Sequence, residues 1–219
     1  LIEQVPELDM IVAPIGGGGL MSGTCLAARE LKPSLRIIGA EPTGADDAFQ
    51  SKQAGKFVPQ LSPDTVADGL RTSLGQLTWP FIRDEVDEIL LADDLATVSA
   101  MKFFWERTKV IIEPSCAVPL AAIIKRFSEP TFKDSSLERA ENIGIIISGG
   151  NVDLQALRAP LQNGTPVCPK GCQRKVAPNC PVFATARPRK NPALCGDGSP
   201  AAYPAIRRQA GEVFPIRHS

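Results

Sequence analysis

The 219-residue sequence has few aromatic side chains, a single histidine and no long apolar run. Phe, Trp and Tyr make up 5% of the residues, which disfavours an aromatic-rich β-sandwich. No apolar stretch approaches the ~20 residues that a membrane-spanning helix needs, so no membrane partner is expected. The hydrophobic residues still amount to 43% of the chain and are mainly Ala, Val, Ile and Leu, which is enough for a sizeable core and typical of an α/β fold.

Charge is distributed unevenly along the chain, although the formal net charge is +0. Residues 1–155 carry 14 Lys and Arg against 22 Asp and Glu, whereas residues 156–219 carry 10 against 2. The second segment is also rich in Pro and Cys and lacks hydrophobic periodicity, so it is expected to be a disordered, irregular tail. The sequence therefore predicts an α/β domain over 1–155 and a Pro/Arg/Cys-rich tail over 156–219.

The cysteines of this chain do not indicate a metal site or a redox function. The four cysteines of the tail are irregularly spaced and His218 is far from them, which argues against a zinc site. The basic excess of the tail could bind nucleic acid without sequence preference, but an aberrant or intron-derived tail is the better interpretation. Cys25 and Cys116 lie at positions expected to be buried, which fits a reducing, cytoplasmic compartment.

Strands and helices alternate along the first 155 residues. Apolar runs predict strands over 9–14, 35–42, 86–92 and 142–151, and helical patterns predict helices over 20–32, 45–56, 95–110 and 113–127. Asp93 or Asp94 is expected to cap the third helix, Ser115 the fourth, and Gly55 to close the second. This order predicts a mainly parallel sheet with helices on both faces and ligands beyond the carboxyl ends of its strands.

Four consecutive glycines, Gly16, Gly17, Gly18 and Gly19, follow the first predicted strand. Such a loop exposes backbone N–H groups at a helix N-terminus, where the helix dipole favours an anion. The dinucleotide fingerprint needs glycines at i, i+2 and i+5, and no set here has that spacing. No Lys-Ser/Thr pair follows, so a nucleotide P-loop is excluded as well. The loop therefore suits a single phosphate monoester, and the alternative is a flexible turn with close helix–strand packing.

The turn "EPTGADD" suggests a cation site. The carboxylates of Glu41 and Asp47 flank the backbone carbonyl of Ala45, an oxygen-only set that suits Mg²⁺ or Ca²⁺ with waters. From spacing alone, the simpler explanation is that Asp46 and Asp47 serve the N-terminus of the following helix through its dipole.

Five motifs together resemble one family. "GGGGLMSG", "GAEPTGADD", "ADGLRTSLG", "WERTKVIIEPSCAVPLAA" and "IIISGGNVD" occur in the order and spacing of fold-type II pyridoxal-phosphate enzymes. The chain over residues 1–155 resembles the C-terminal half of the serine racemase and threonine/serine dehydratase family. The resemblance implies the large domain of a tryptophan synthase β-like fold, here incomplete.

The resemblance assigns roles to individual residues. Gly16–Gly19 would bind the phosphate of pyridoxal 5′-phosphate, and Ser148 would meet its pyridine nitrogen. Gly69 and Glu113 would lie near the ring edge, and Glu41, Ala45 and Asp47 would bind Mg²⁺ or Ca²⁺. Cys116 departs from the family, which usually has glycine in "EPSGA".

The resemblance also indicates what this sequence lacks. Neither the Schiff-base lysine nor the second acid/base of the family is found in it, so the sequence is expected to be a fragment that is inactive alone. The intact enzyme would be a homodimer that racemises serine, or converts serine or threonine to a 2-oxo acid and ammonia. The alternatives are a catalytically inactive binding or regulatory remnant and, with weaker support, a dinucleotide-binding domain using Glu41 for the ribose.

Overall fold

A computed structural model describes residues 1–128, 140–154 and 157. Its centre is a four-stranded parallel sheet in the order β3-β2-β1-β4. The strands are β1 (Met10–Pro14), β2 (Arg36–Pro42), β3 (Glu88–Ala92) and β4 (Ile143–Ile145). The predicted parallel α/β fold is confirmed. The tail beyond residue 157, with its four cysteines, lies outside the described residues.

Five helices connect and cover these strands in the described ranges: α1 (Gly19–Leu31), α2 (Asp47–Ala54), α3 (Trp79–Glu85), α4 (Asp94–Thr108) and α5 (Pro114–Ser128). A single 3₁₀ turn at Asp68–Leu70 interrupts the connection between α2 and α3. No helix among the described residues is long and apolar enough to cross a lipid bilayer.

Helices bury both faces of the sheet. Successive side chains of each strand point to opposite faces, so each strand contributes to two cores. Met10 and Val12 of β1 belong to a core formed with α4 and α5, whereas Ile11 and Ala13 belong to a core formed with α1, α2 and α3. The continuous apolar runs of the strands are explained by this two-sided burial.

The last strand is joined to the first over a long separation in sequence. β4 pairs with β1 in the register Met10↔Ile143 and Val12↔Ile145. Just before these pairs, the Asp9 carboxylate accepts hydrogen bonds from the N–H groups of Glu141 and Asn142 at 2.8 and 2.9 Å. β1 is thereby placed between β2 and β4, and the segments that follow β1 and β4 lie at one edge of the sheet.

Two of the predicted helix boundaries are confirmed by their caps. The Asp93 carboxylate accepts from the N–H of Ala96 at 2.8 Å, so Asp93 is the cap of α4. Gly55 ends α2 in the left-handed conformation, with φ of 65°.

The expected cap at Ser115 is wrong. α5 already begins at Pro114, so Ser115 lies inside the helix rather than before it. The Glu113 carbonyl accepts a hydrogen bond from the N–H of Ala117 in the first turn. The Ser115 hydroxyl instead accepts from the N–H of Gly69 at 3.0 Å. A contact with a distant loop has therefore replaced the local capping role that the sequence pattern suggested.

Candidate functional site

The carboxyl ends of the strands meet at one edge of the sheet, and the candidate site is built there. The glycine loop follows β1, the acidic turn follows β2, and the segment 146–151 follows β4. The connection between α2 and α3 also reaches this edge, since the N–H of Gly75 donates to the Gly17 carbonyl at 3.1 Å.

Two carbonyls of the glycine loop, those of Gly17 and Gly18, are hydrogen-bonded, whereas the N–H groups of the loop are not. The Gly17 carbonyl accepts from the Thr78 hydroxyl at 2.7 Å as well as from Gly75. The Gly18 carbonyl accepts both from the N–H and from the hydroxyl of Ser22, each at 2.8 Å. No acceptor within the described part of the chain takes the N–H groups of Gly16–Gly19. Free donors at the start of a 13-residue helix suit an anion.

The backbone at Gly18 explains why a glycine is needed there. Its φ is +85°, a left-handed conformation that residues with a Cβ rarely adopt. A Cβ on Gly18 would also lie 2.5 Å from Thr78 Oγ1 and 2.9 Å from Leu74 Cδ1. At Gly19, by contrast, a Cβ would meet nothing within 4 Å. The loop is therefore a packed structure rather than a loose turn, and Gly18 is its position least able to accept a side chain.

Ser148 lies exposed beyond β4 and contacts Cys116 of α5. The Cys116 sulphur is 3.2 Å from the Ser148 hydroxyl, and it is contacted by the N–H groups of Ser148 at 3.0 Å and Gly149 at 2.7 Å. The Cys116 thiol in turn points at the Gly149 carbonyl, 3.0 Å away. The turn that carries Ser148 is therefore fastened to α5 through one fully buried sulphur.

Glu113 and Gly69 connect the other parts of this edge. The Glu113 carboxylate accepts from the N–H of Asn151 at 3.1 Å, and the Glu113 N–H donates to the Gly149 carbonyl. A Cβ on Gly69 would lie 2.9 Å from Ser115 Oγ and 3.7 Å from Glu113 Oε1.

Gly69 also reaches the glycine loop, because its carbonyl would lie 3.3 Å from a Cβ on Gly16. A continuous chain of contacts thus runs from Gly16 through Gly69 and Ser115 to Cys116 and Ser148. The residues predicted to surround the cofactor, including Glu113, are brought to one edge.

The acidic turn holds two buried carboxylates. Glu41 is fully buried and accepts from the N–H groups of Ala48 at 3.2 Å and Phe49 at 2.8 Å. Burial raises the pKa of Glu41 to about 8, and the neighbouring charge of Asp47 adds to the rise. Burial also raises the pKa of Asp47, although the N–H of Leu74 donates to its carboxylate at 2.7 Å.

Asp46 and Asp47 stand at the start of α2, as its N-cap and a first-turn residue, which is where the helix dipole favours negative charge. Asp46 makes no side-chain cap bond with α2, and the Asp47 carboxylate bonds Leu74 in another segment. It is Glu41, from β2, that satisfies the first N–H groups of α2. Ala45 is buried between the two carboxylates in sequence, and its N–H donates to the Pro42 carbonyl.

The donor set of this turn is compatible with a hard cation but does not complete a site by itself. No salt bridge among the described residues involves Glu41 or Asp47, so their burial is not compensated by a Lys or Arg. Nor does the described part of the chain bring three His, Cys, Asp or Glu side chains together around one point. A cation here would need the Ala45 carbonyl and waters in addition to the two carboxylates.

The family described as pyridoxal-phosphate dependent enzyme matches residues 1–149 of the sequence. The chain belongs to this family. It is 54% identical over 157 residues to a serine racemase of Oryza sativa subsp. indica, an alignment that covers 72% of this chain and 45% of the relative. It is 47% identical over 157 residues to a β-hydroxyaspartate dehydratase of Paracoccus denitrificans, covering 72% and 47%.

Solved structures of the family share this fold. The structure of maize serine racemase superposes with a TM-score of 0.66 at 52% identity, covering 74% of this chain and 48% of that one. The chain thus spans about half the length of the curated relatives it matches. The family implies pyridoxal phosphate as cofactor, and the free N–H groups of Gly16–Gly19 and the exposed hydroxyl of Ser148 fit its phosphate and ring nitrogen.

Sequence reasoning missed two residues that shape this edge. Thr78 lies in a stretch that no predicted element covered, and its hydroxyl bonds the glycine loop. Ser115 was given a capping role instead of its bond to Gly69. Neither contact has a local signal, since the partners are 61 and 46 positions apart.

Proposed function

We propose that this chain forms the phosphate-binding and ring-nitrogen side of a pyridoxal-phosphate site acting on small hydroxyamino acids. The reaction is the racemisation of serine, or the elimination of the β-hydroxyl from serine, threonine or hydroxyaspartate to give a 2-oxo acid and ammonia. The observation that carries the proposal is the free N–H cradle of Gly16–Gly19 in a chain 54% identical to a serine racemase.

The glycine loop would hold the cofactor phosphate. Its N–H groups need an acceptor, and a dianionic phosphate offers several oxygens to them at the positive end of the α1 dipole. Because glycines lack side chains, the phosphate can approach the backbone closely. The contacts of Gly17 and Gly18 with Thr78 and Ser22 keep the loop in shape before the ligand arrives.

Ser148 would set the protonation of the cofactor ring. Bound pyridoxal phosphate supplies an electron sink for the carbanion that forms when the α-proton of the substrate is removed. A neutral hydroxyl can donate to the ring nitrogen or accept from it, whereas a carboxylate would keep that nitrogen protonated. Gly69 and Glu113 would line the edge of the ring, with Glu113 held by Asn151.

Glu41, Asp47 and the carbonyl of Ala45 would bind Mg²⁺ or Ca²⁺ with waters. The support for this site is the uncompensated burial of two carboxylates and the raised pKa of both. A divalent cation would offset the cost of charging them and would brace the loop that Asp47 contacts at Leu74.

The proposed enzyme is a cytoplasmic homodimer. Leu20 and Leu31, three turns apart on one side of α1, are 46% and 57% exposed, which leaves apolar surface for a second chain to cover. Cys25 and Cys116 are free, buried thiols, as expected in a reducing compartment.

A chimera tests the catalytic proposal. Residues 1–157 would replace the aligned segment of the rice serine racemase, and formation of D-serine and pyruvate from L-serine would be measured with pyridoxal phosphate present. We expect activity in the chimera and a reduction of about 10-fold or more on Ser148→Ala, since one positioned hydrogen bond to the reacting system is removed. A folded chimera that binds the cofactor without producing either compound would overturn the proposal.

A further inference from the structure

Thr78 precedes α3 at the position of a helix cap, but its hydroxyl does not cap that helix. A threonine at this position ordinarily accepts a hydrogen bond from an N–H in the first turn of its own helix. Here the hydroxyl donates to the Gly17 carbonyl at 2.7 Å and lies 3.0 Å from the Gly75 carbonyl. The side chain is therefore committed to the glycine loop rather than to its own helix.

This bond and a second one from the Gly75 N–H fix which way one peptide unit of the loop faces. The carbonyl of Gly17 and the N–H of Gly18 belong to the same planar unit and point in opposite directions, because the peptide bond is trans. Thr78 Oγ1 and the N–H of Gly75 hold the carbonyl from the α3 side. The N–H of Gly18 is consequently turned away from α3.

The next peptide unit is fixed in the same manner from the other side. The N–H and hydroxyl of Ser22 hold the Gly18 carbonyl toward α1, which leaves the N–H of Gly19 facing out of the helix. Both N–H groups lack an acceptor among the described residues. Ser22 is a local, i−4 contact, whereas Thr78 reaches the loop across 61 positions.

Thr78 also occupies the space that a side chain on Gly18 would need. A Cβ on Gly18 would lie 2.8 Å from the Thr78 Cβ as well as 2.5 Å from its Oγ1. With Thr78 in this position, only a residue without a side chain fits at Gly18.

We propose that Thr78 is a positioning residue that orients the Gly17–Gly18 peptide so that the Gly18 N–H meets the phosphate of the ligand. The inference rests on the proposed function, because it assumes that this loop binds a phosphate ester. It adds the residue that precedes α3 to a site otherwise formed by the ends of β1 and β4.

The test compares a phosphorylated ligand with its unphosphorylated counterpart. Binding of pyridoxine 5′-phosphate and of pyridoxine to the 219-residue chain would be measured by calorimetry; neither ligand has an aldehyde that could react with lysines. Variants would be Thr78→Val, Thr78→Ser and, as a matched control, Thr24→Val, whose hydroxyl donates to the Leu20 carbonyl on α1.

We expect Thr78→Val to weaken binding of pyridoxine 5′-phosphate by about 5- to 10-fold, the equivalent of one hydrogen bond, with little effect on pyridoxine. Thr78→Ser should restore affinity to within about 2-fold, because it keeps the hydroxyl. Thr24→Val should leave both affinities unchanged. A merely structural role for Thr78 would instead lower the melting temperature without altering the preference for the phosphorylated ligand.

The outcomes separate this inference from the proposed function. If the unaltered chain binds pyridoxine 5′-phosphate no better than pyridoxine, the proposed function fails at its first step and the inference fails with it. If the unaltered chain prefers the phosphate ester and Thr78→Val retains that preference, the inference alone is overturned. Should Thr78→Val not fold, Thr78→Ala removes the same hydroxyl with less steric change and is judged by the same criterion.

Discussion

The sulphur of Cys116 lies 3.2 Å from the hydroxyl oxygen of Ser148 and links α5 to the turn after β4. The same sulphur is approached by two N–H groups of that turn, from Ser148 and Gly149. Cys116 occupies a position at which the resemblance leads us to expect glycine. This chain thus has a buried side chain between α5 and the turn at a position where a glycine would leave none.

Removing this side chain should loosen the turn. We expect Cys116→Ala to lower the free energy of unfolding by about 1–2 kcal/mol, because a buried group and its contacts are lost. Cys116→Gly should cost about 1 kcal/mol more, since glycine is the poorer residue inside a helix. Urea unfolding followed by circular dichroism measures both. Equal stability of the glycine variant and the unaltered chain would contradict the packing role of the thiol.

Two neighbouring glycines should respond differently to substitution. Gly18→Ala should destabilise the chain by about 1–3 kcal/mol, because its φ is +85° and a Cβ would collide with Thr78. Gly19→Ala, one residue on and free of contacts, should be neutral or stabilising by up to about 1 kcal/mol. Thermal unfolding of the two variants side by side provides the comparison. A similar loss in both would mean that Thr78 does not confine the loop at Gly18.

The adjacent residues Asp46 and Asp47 offer a second matched pair. Asp47→Ala leaves the buried N–H of Leu74 without its acceptor, and should cost about 1–2 kcal/mol. The Asp46 carboxylate contacts the exposed side chain of Gln50, so Asp46→Ala should cost about 0.5 kcal/mol. Chemical denaturation measures the difference, and an Asp46 variant that is the less stable of the two would be inconsistent with a structural role for Asp47.

Glu41 should make stability depend on pH. Its pKa is about 8 in the folded chain against an ordinary value of 4.5, with burial as the main cause. Between those values the folded chain retains a proton that the unfolded chain has released. Stability should therefore fall as pH rises through this window, by at most about 1.4 kcal/mol per pH unit for one proton.

Glu41→Gln should remove this contribution, so the variant gains stability relative to the unaltered chain as pH rises from 5 to 8. The measurement is a series of melting curves in the presence of a chelator, repeated with Mg²⁺ or Ca²⁺. A bound cation favours the charged carboxylate, so its stabilising effect should grow with pH in the unaltered chain and be smaller in the variant. Parallel curves for the two proteins would exclude a raised pKa at Glu41.

The strands and most helices could be predicted because their signals are local. β1 and β2 are apolar runs buried on both faces, and Asp93 and Gly55 occupy the boundary positions that their residue types favour. α3 was missed because a seven-residue helix carries little periodicity. Pro80 at its start was compatible with a helix but equally with a turn.

Only those parts of the site that have a recognisable local sequence pattern could be predicted. The glycine loop and the acidic turn are recognisable as stretches of sequence. The hydrogen-bond partners that hold these residues in place cannot be recognised in this way. Ser115 meets Gly69, and Asp47 meets Leu74, only through the tertiary fold. Ser115 shows the limit most clearly: the capping rule suits its residue type, but the Glu113 carbonyl and the fixed φ of Pro114 are already sufficient to begin the helix.

The pairing of β4 with β1 has a consequence for synthesis and folding. Asp9 bonds Asn142 across 133 positions, so closing this part of the sheet carries the entropic cost of bringing two distant segments of the chain together. On the ribosome, β1, β2 and α1 emerge well before the strand that completes their sheet. Until residue 143 is available, the inner edge of β1 is an unpaired strand open to wrong partners. Contacts of such high sequence separation slow folding, so we expect the pairing of β4 with β1 to limit the rate at which the fold forms.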